Sequence, residues 1–422
     1  MERSIVTDNG VPIYFYRNEH LHSFCICAYF VTGSLYETDD MNGATHLWEH
    51  MLFRKLNNIY DGEFYKILDK YALYFNGYTY KEFVYIEVRG PAKYFNEAAK
   101  IISLIFEPVS ITIAELNLEK RRIKAEKREN DDESSLDYFT QKIVWKDTSL
   151  ANLIIGKNKN LDRIGIKMLR KIQDEICSRG NFFFYVTGCF DDGNINLLGN
   201  YISLYEFRKD CEIRQNLAPV PKEFFKRNGR IAVKNSIYNY IRFSFDVDVT
   251  RYSYEELDIL YAILFRGDNS KIYQELSEKT GYTYSFDSKF EQYNNVGNMY
   301  FSVEVQRKDI FHVIQTVIDI LNDLKINITD ELDYVIPLYT DKGMFALDND
   351  EDLNWQMSYE CHILKNSYKS VEESIALYKH ITPHRIMEMA LEIFTLDNVL
   401  VTLRTNKKSF DFDQAHKIIE KL

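Results

Sequence analysis

No stretch of this 422-residue chain reaches about 18 consecutive apolar residues, so a membrane-spanning helix is not expected. Basic residues are in deficit. Lys and Arg number 52 against 63 Asp and Glu, for a net charge of −11, and no basic tract stands out. Nucleic acid needs a positive surface to displace its counterions, so nucleic-acid binding is disfavoured. A Gly-rich phosphate loop of the nucleotide-binding type is missing. The six cysteines, Cys25, Cys27, Cys177, Cys189, Cys211 and Cys361, are scattered and form no Cys-x-x-Cys pair. That usage points to a reducing, cytoplasmic setting. The N-terminal residues lack the charged-then-apolar layout of a secretory signal. Proline is scarce too, seven in all, and the one tight pair, Pro219 and Pro221, marks a loop.

What is present is apolar and aromatic: 45% hydrophobic residues, with 31 Tyr and 28 Phe. A chain of this length suits two domains of about 200 residues each. It also echoes itself. Glu82 to Val88 alternates like a strand and is followed by a helix-like pattern from Pro91 to Phe106. Gly297 to Val305 alternates likewise and leads into a helix-like run from Asp309. Each is followed by a similar phrase, Ile111-Thr112-Ile113-Ala114-Glu115-Leu116 and Ile328-Thr329-Asp330-Glu331-Leu332, with Thr placed as an N-cap. The expected fold is α+β: two domains of like topology, 1–215 and 216–422, each an antiparallel sheet with helices on one face. Cys25 and Cys27 alternate within an apolar strand-like run, so both face one side as buried thiols.

The most informative stretch is His46-Leu47-Trp48-Glu49-His50. On a helix, residues four apart share a face and the residue at i+3 sits beside them. Two imidazoles can then reach one metal ion while Glu49 points at a water beside it. Zinc suits imidazole ligands and commonly takes three protein ligands in a catalytic site. The order His-x-x-Glu-His is that of the inverzincins. A third ligand must come from another element. Residues 114–129 read as a strong helix without Gly or Pro, on which Glu119 and Glu126 stand two turns apart on one face. One can bind metal while the other orients a ligand. Alone, the pair reads as part of a solvated, charge-laced helix, as Glu115 and Glu129 do.

Together these segments resemble the M16 metallopeptidases, the pitrilysin and insulin-degrading enzyme family. There, His-x-x-Glu-His is followed some seventy-odd residues later by Glu-x6-Glu, where this chain has Glu119 and Glu126. The resemblance implies one zinc per chain held by His46, His50 and Glu126, with Glu49 as general base and Glu119 behind the ligands. The lead-in Thr32-Gly33-Ser34-Leu35-Tyr36-Glu37, then Asn42-Gly43-Ala44-Thr45, is similar to that of the family, as is Met51-Leu52-Phe53 after the motif. Asn76-Gly77-Tyr78-Thr79 resembles an edge strand that binds peptide beside the metal. On its own, Asn76-Gly77 reads as a tight turn.

The second half carries no metal motif; Cys361-His362 reads as packing. Phe265 to Ser285 resembles a family segment whose Arg and Tyr reach the substrate. Tyr284 keeps the Tyr, Ser277 stands at the Arg position, and Lys271 stands for an earlier Arg. A serine cannot reach a peptide carbonyl as a guanidinium fork can. Alone, Tyr284 reads as a core aromatic. The resemblance implies an active form of four such domains, hence a homodimer or a heterodimer of two-domain chains. It implies a peptidase acting on short or unfolded peptides in a chamber, such as bacteriocin or other modified precursors. The alternative is a catalytic or scaffold subunit of a heterodimeric M16 complex, inactive without its partner.

Overall fold

The computed structural model describes residues 2–130, 134–209, 213–284, 286–364 and 369–422; Cys211 and Ser285 lie outside the described residues. Two compact units result.

The first unit comprises Met1–Asp132, Ser149–Asn216 and Phe345–Tyr368. Its sheet contains β1 (Arg3–Val6), β2 (Pro12–Arg17), β3 (Ser23–Phe30), β4 (Tyr74–Thr79), β5 (Val84–Pro91) and β6 (Phe182–Gly188), in the order β1-β2-β6-β3-β5-β4. The central strand β3 is apolar on both faces and buried on both. Phe24, Ile26, Ala28 and Phe30 enter the main core, against Leu47, Trp48, Met51 and Leu52 of helix α1 (Ala44–Ile59) and Leu116 and Ile123 of helix α2 (Ile113–Glu129). Cys25, Cys27 and Tyr29 enter a smaller cluster on the other face, as period-2 alternation requires. That face is covered by Leu353 and Met357 of helix α3 (Asp350–Met357) and by Ile363.

The second unit comprises Glu133–Thr148, Leu217–Met344 and Lys369–Leu422. Its strands β7 (Arg230–Asn235), β8 (Tyr240–Val247), β9 (Phe286–Gln292), β10 (Gly297–Glu304) and β11 (Val399–Thr405) run in the order β7-β11-β8-β10-β9. That matches β2-β6-β3-β5-β4 strand for strand, so the echo in the sequence is a repeat of topology. The main core lies between this sheet and helices that include Tyr254–Phe265 and Ile310–Leu324. The helix Leu136–Val144 lies on the other face, where the Thr140 and Thr402 hydroxyls meet at 2.6 Å and Asp137 pairs with Arg242.

Three details differ from the expectation. The sheets are not wholly antiparallel, because β2–β6 and β7–β11 are parallel pairs. The last strand of each half returns by a crossover to lie between the first strand and the centre, a connection that parallel pairing demands. Helices do not keep to one face, because each sheet's second face is covered as well. The units also depart from a single cut at 215/216: each takes a helical segment from the other half of the chain, and that segment covers its second face. No helix among the described residues is long and apolar enough to cross a membrane.

Candidate metal centre

Helix α1 begins at a backbone turn that only glycine accepts readily. Gly43 has φ 96°, and a β-carbon there would lie 2.8 Å from Gly156 Cα. Glycine offers no side-chain cap. The carboxylate of Glu37 supplies one from upstream, accepting from the backbone N–H of Gly43 (2.9 Å) and of Thr45 (2.7 Å). It satisfies two free amides and sets negative charge at the positive end of the helix. Leu47, Trp48, Met51 and Leu52 lock one face of α1 into the core, which leaves His46, Glu49 and His50 together on another. Helix α2 starts with a capping box between Thr112 and Glu115. Its buried stripe, Leu116, Glu119, Lys120, Ile123 and Lys127, follows helical spacing and directs Glu119 and Glu126 at α1.

The two helices bring the donors together. His46 Nε2 lies 3.9 Å from Glu126 Oε1, and His50 Nε2 lies 3.6 Å from Glu126 Oε2. The imidazoles stand edge to face, 4.7 Å between centroids. One ligand atom from each of His46, His50 and Glu126 falls within 4.8 Å of the others. A tetrahedral zinc with ligands at about 2.0–2.2 Å spaces its donors roughly 3.3–3.6 Å apart, so this donor set fits zinc in chemistry and in size. Glu49 Oε2 sits 4.0 Å from His46 Nε2 and accepts from Thr79 Oγ1 at 3.2 Å.

Electrostatics divides the roles. Burial, then the neighbouring His50, lowers His46 to about 4 and keeps it neutral. Burial pushes Glu49 up to about 7 against the His50 charge and the Thr79 hydrogen bond. For His50, burial is the largest influence and pulls downward. Hydrogen bonds to Glu119 and Glu126 outweigh it and raise the group to about 9. Glu119 is likewise opposed by burial, but His50, Arg54 and Arg122 hold it down at about 2. Its carboxylate lies 3.6 Å from His50 Nδ1, pairs with Arg54, and accepts from Arg122 Nη1 at 3.2 Å. It meets the ring at the nitrogen opposite the one that faces Glu126.

The segment Asn76-Gly77-Tyr78-Thr79 lies in β4, an edge strand of its sheet, and is not a turn. Its faces divide. Gly77 and Thr79 point at Glu49: a β-carbon on Gly77 would lie 3.0 Å from both Glu49 Cγ and Oε1. Asn76 and Tyr78 point away, where Asn76 Nδ2 donates to Tyr74 Oη (2.9 Å) and Tyr78 stacks on Tyr85. A cleft of about 730 Å³ opens along this edge, with Phe53, Tyr65, Arg122, Leu153 and Ile155 in its walls.

Tyr284, Lys271 and Ser277 lie in the second unit. Tyr284 is 91% exposed, which excludes a core aromatic. Lys271 is engaged, its Nζ lying 2.6 Å from Glu331 and 3.2 Å from Asp323. Ser277 Oγ lies 3.5 Å from the Tyr284 carbonyl oxygen. His362 packs against Tyr14, Phe183 and Tyr185 in the first unit, as read. Sequence reasoning missed Arg54, which was findable four residues after His50 on the same helix face. It also missed the capping role of Glu37, for which no local pattern exists.

The chain matches Insulinase (Peptidase family M16) over residues 15–158 and Peptidase M16 inactive domain over residues 163–332. It belongs to the M16 peptidase family, in the bacterial two-domain form. "Uncharacterized zinc protease YmxG" of Bacillus subtilis (strain 168) is 21% identical over 408 residues, covering 96% of this chain and 98% of that protein. A protease from Helicobacter pylori shares the fold with a TM-score of 0.85 at 16% identity, over 96% of this chain and 99% of that one. The periplasmic protease PqqL from Escherichia coli matches all of this chain with half of its own, at a TM-score of 0.78 and 17% identity.

Proposed function

We propose that the protein is a zinc-dependent endopeptidase that cleaves short or unfolded peptides, with modified precursor peptides as the substrate class. One observation carries the reading: two imidazoles and a carboxylate converge to zinc spacing directly beside an edge strand with free pairing capacity. His46, His50 and Glu126 would hold one zinc. Bound there, the ion supplies Lewis acidity toward the scissile carbonyl and the attacking water. An extended peptide adds to β4 as a further strand, and the Gly77 position leaves room for Glu49 to approach it. Glu49, brought near neutrality by burial, takes the proton of the attacking water and delivers it to the departing amine. Glu119 holds His50 in orientation. Tyr284, exposed in its segment, is a substrate contact; Lys271 is committed to its carboxylates.

We propose that the active form is two chains; the match of this whole chain to half the length of PqqL is compatible with that. The reduced thiols at Cys25, Cys27, Cys177 and Cys189 suit the cytoplasm. Stripping zinc with a chelator should abolish peptide cleavage and zinc should restore it; cleavage indifferent to the chelator overturns the reading. Ser277 at the position of the family arginine favours a second reading, a subunit that is active only with an M16-like partner. In that case the zinc-loaded chain alone is inactive and gains activity on adding the partner.

A further inference from the structure

We propose that Cys25, Cys27 and Glu87 form a second metal site, a structural one that binds zinc on the sheet face opposite α1. The strands build it directly. Cys25 and Cys27, two apart on β3, project on one face, and the β3–β5 register sets Glu87 across from Cys27 and Arg89 across from Cys25. The two Sγ atoms are 3.5 Å apart, and one ligand atom from each of the three residues falls within 4.8 Å of the others. Zinc–thiolate bonds of about 2.3 Å place two sulfurs about 3.8 Å apart in a tetrahedral site. Thiolates also select zinc over the hard cations.

Two further observations point to a cation. Glu87 is 1% exposed, yet its Oε1 has no hydrogen-bond partner among the described residues. A buried carboxylate oxygen is costly unless paired. Charge points the same way: two thiolates and one carboxylate carry −3, of which a divalent ion offsets two, while Arg89, whose Nε lies 3.6 Å from Glu87 Oε2, is shared with Glu351. Without an ion the two thiols must be buried neutral, and Glu87 can hold its charge only against Arg89 and the Tyr78 hydroxyl. Burial does push both thiols upward and Glu87 up to about 7. That ion-free cluster is the competing state.

Structural zinc sites are closed by four ligands. The described residues supply three within 4.8 Å of one another; the helix over this face carries a further carboxylate, Asp350, whose Oδ2 is buried without a hydrogen-bond partner. It opens α3, which Arg89 grips through Glu351 and which Asn354 ties to the sheet by a bond to the Tyr185 carbonyl (3.0 Å).

The test uses the full-length His46→Ala/His50→Ala chain, in which the first cluster is disabled, so it stands whether or not the peptidase reading holds. Produced with zinc, this variant should retain one zinc per chain after dialysis, where the wild type retains two. Refolded with cobalt, it should show a thiolate-to-cobalt charge-transfer band, lost in a further Cys25→Ser/Cys27→Ser variant. Glu87→Gln, which leaves the thiols intact, should weaken metal binding at least tenfold. A His46→Ala/His50→Ala chain with native far-UV circular dichroism, no ion and no band overturns the site. Unchanged affinity in Glu87→Gln overturns the assigned ligand set.

Discussion

Glu119→Gln separates two opposing effects at the metal centre. The Glu119 side chain is 2% exposed and serves Arg54, Arg122 and His50 at once. Glutamine keeps one acceptor oxygen, but it loses the charge and turns an NH2 toward cations. Removing the partner behind a metal-ligating histidine typically costs 10–100-fold in affinity, about 1.4–2.7 kcal/mol. The second effect runs the other way. In the metal-free protein His50 sits at about 9, so at pH 7 it is protonated, and zinc must displace that proton. Apparent affinity of the wild type should therefore fall about tenfold per pH unit below about 9. Loss of Glu119 lowers the His50 pKa and makes the displacement easier. The variant's deficit should be small near pH 7 and grow toward the full 10–100-fold at pH 9. Stability of the metal-free wild type runs oppositely. The folded value lies above the unfolded 6.5, so the contribution is complete below 6.5 and lost as pH rises through about 9. Competition titration of zinc against a chromophoric chelator from pH 6.5 to 9 reads both. A deficit independent of pH, or no deficit at pH 9, refutes the coupling.

Two other substitutions test the framework. Lys55 is 1% exposed, and its Nζ donates to the carbonyls of Ile105 and Glu107, both at 2.7 Å. Lys55→Met should destabilise by about 1–3 kcal/mol in urea unfolding, because the Ile105 carbonyl loses this donor while the Glu107 carbonyl keeps the Gln173 amide at 2.9 Å. Burial lowers Lys55 from 10.5 to about 8, so between those values the folded state holds fewer protons and stability rises with pH. The wild type's advantage over the variant should therefore be larger at pH 9.5 than at pH 7.5. Gly77→Val should leave zinc content unchanged and reduce kcat/KM at least 100-fold, because its side chain occupies the space of Glu49. Steady-state kinetics with metal analysis checks this, and full activity would remove Gly77 from the site.

The parts of the fold legible in the sequence were those set by short-range pattern. The imidazoles and carboxylate of the His46–His50 stretch share a helix face by periodicity alone, and the repeat showed in matching strand–helix phrases. Thr112 was placed correctly as an N-cap because the capping box is local. Thr329 was one residue early: the helix is capped at Asp330, and Thr329 donates its N–H to Glu331 instead. Long-range pairings were hidden. Nothing local says that β6 lies parallel to β2, or that Asp350–Met357 returns to cover Cys25 and Cys27. Asn76-Gly77 has turn chemistry, yet tertiary pairing with β5 makes it a strand. Tyr284 shows the converse, an aromatic left in solvent because no sheet or helix claims it.

Mass-spectrometric cleavage of a mixed peptide library by the zinc-loaded chain, run beside Glu49→Gln, addresses the central claim most directly. The variant should bind zinc as the wild type does and cleave nothing that the wild type cleaves. Equal turnover by the two would contradict Glu49 as the base and, with it, the peptidase assigned to this cluster.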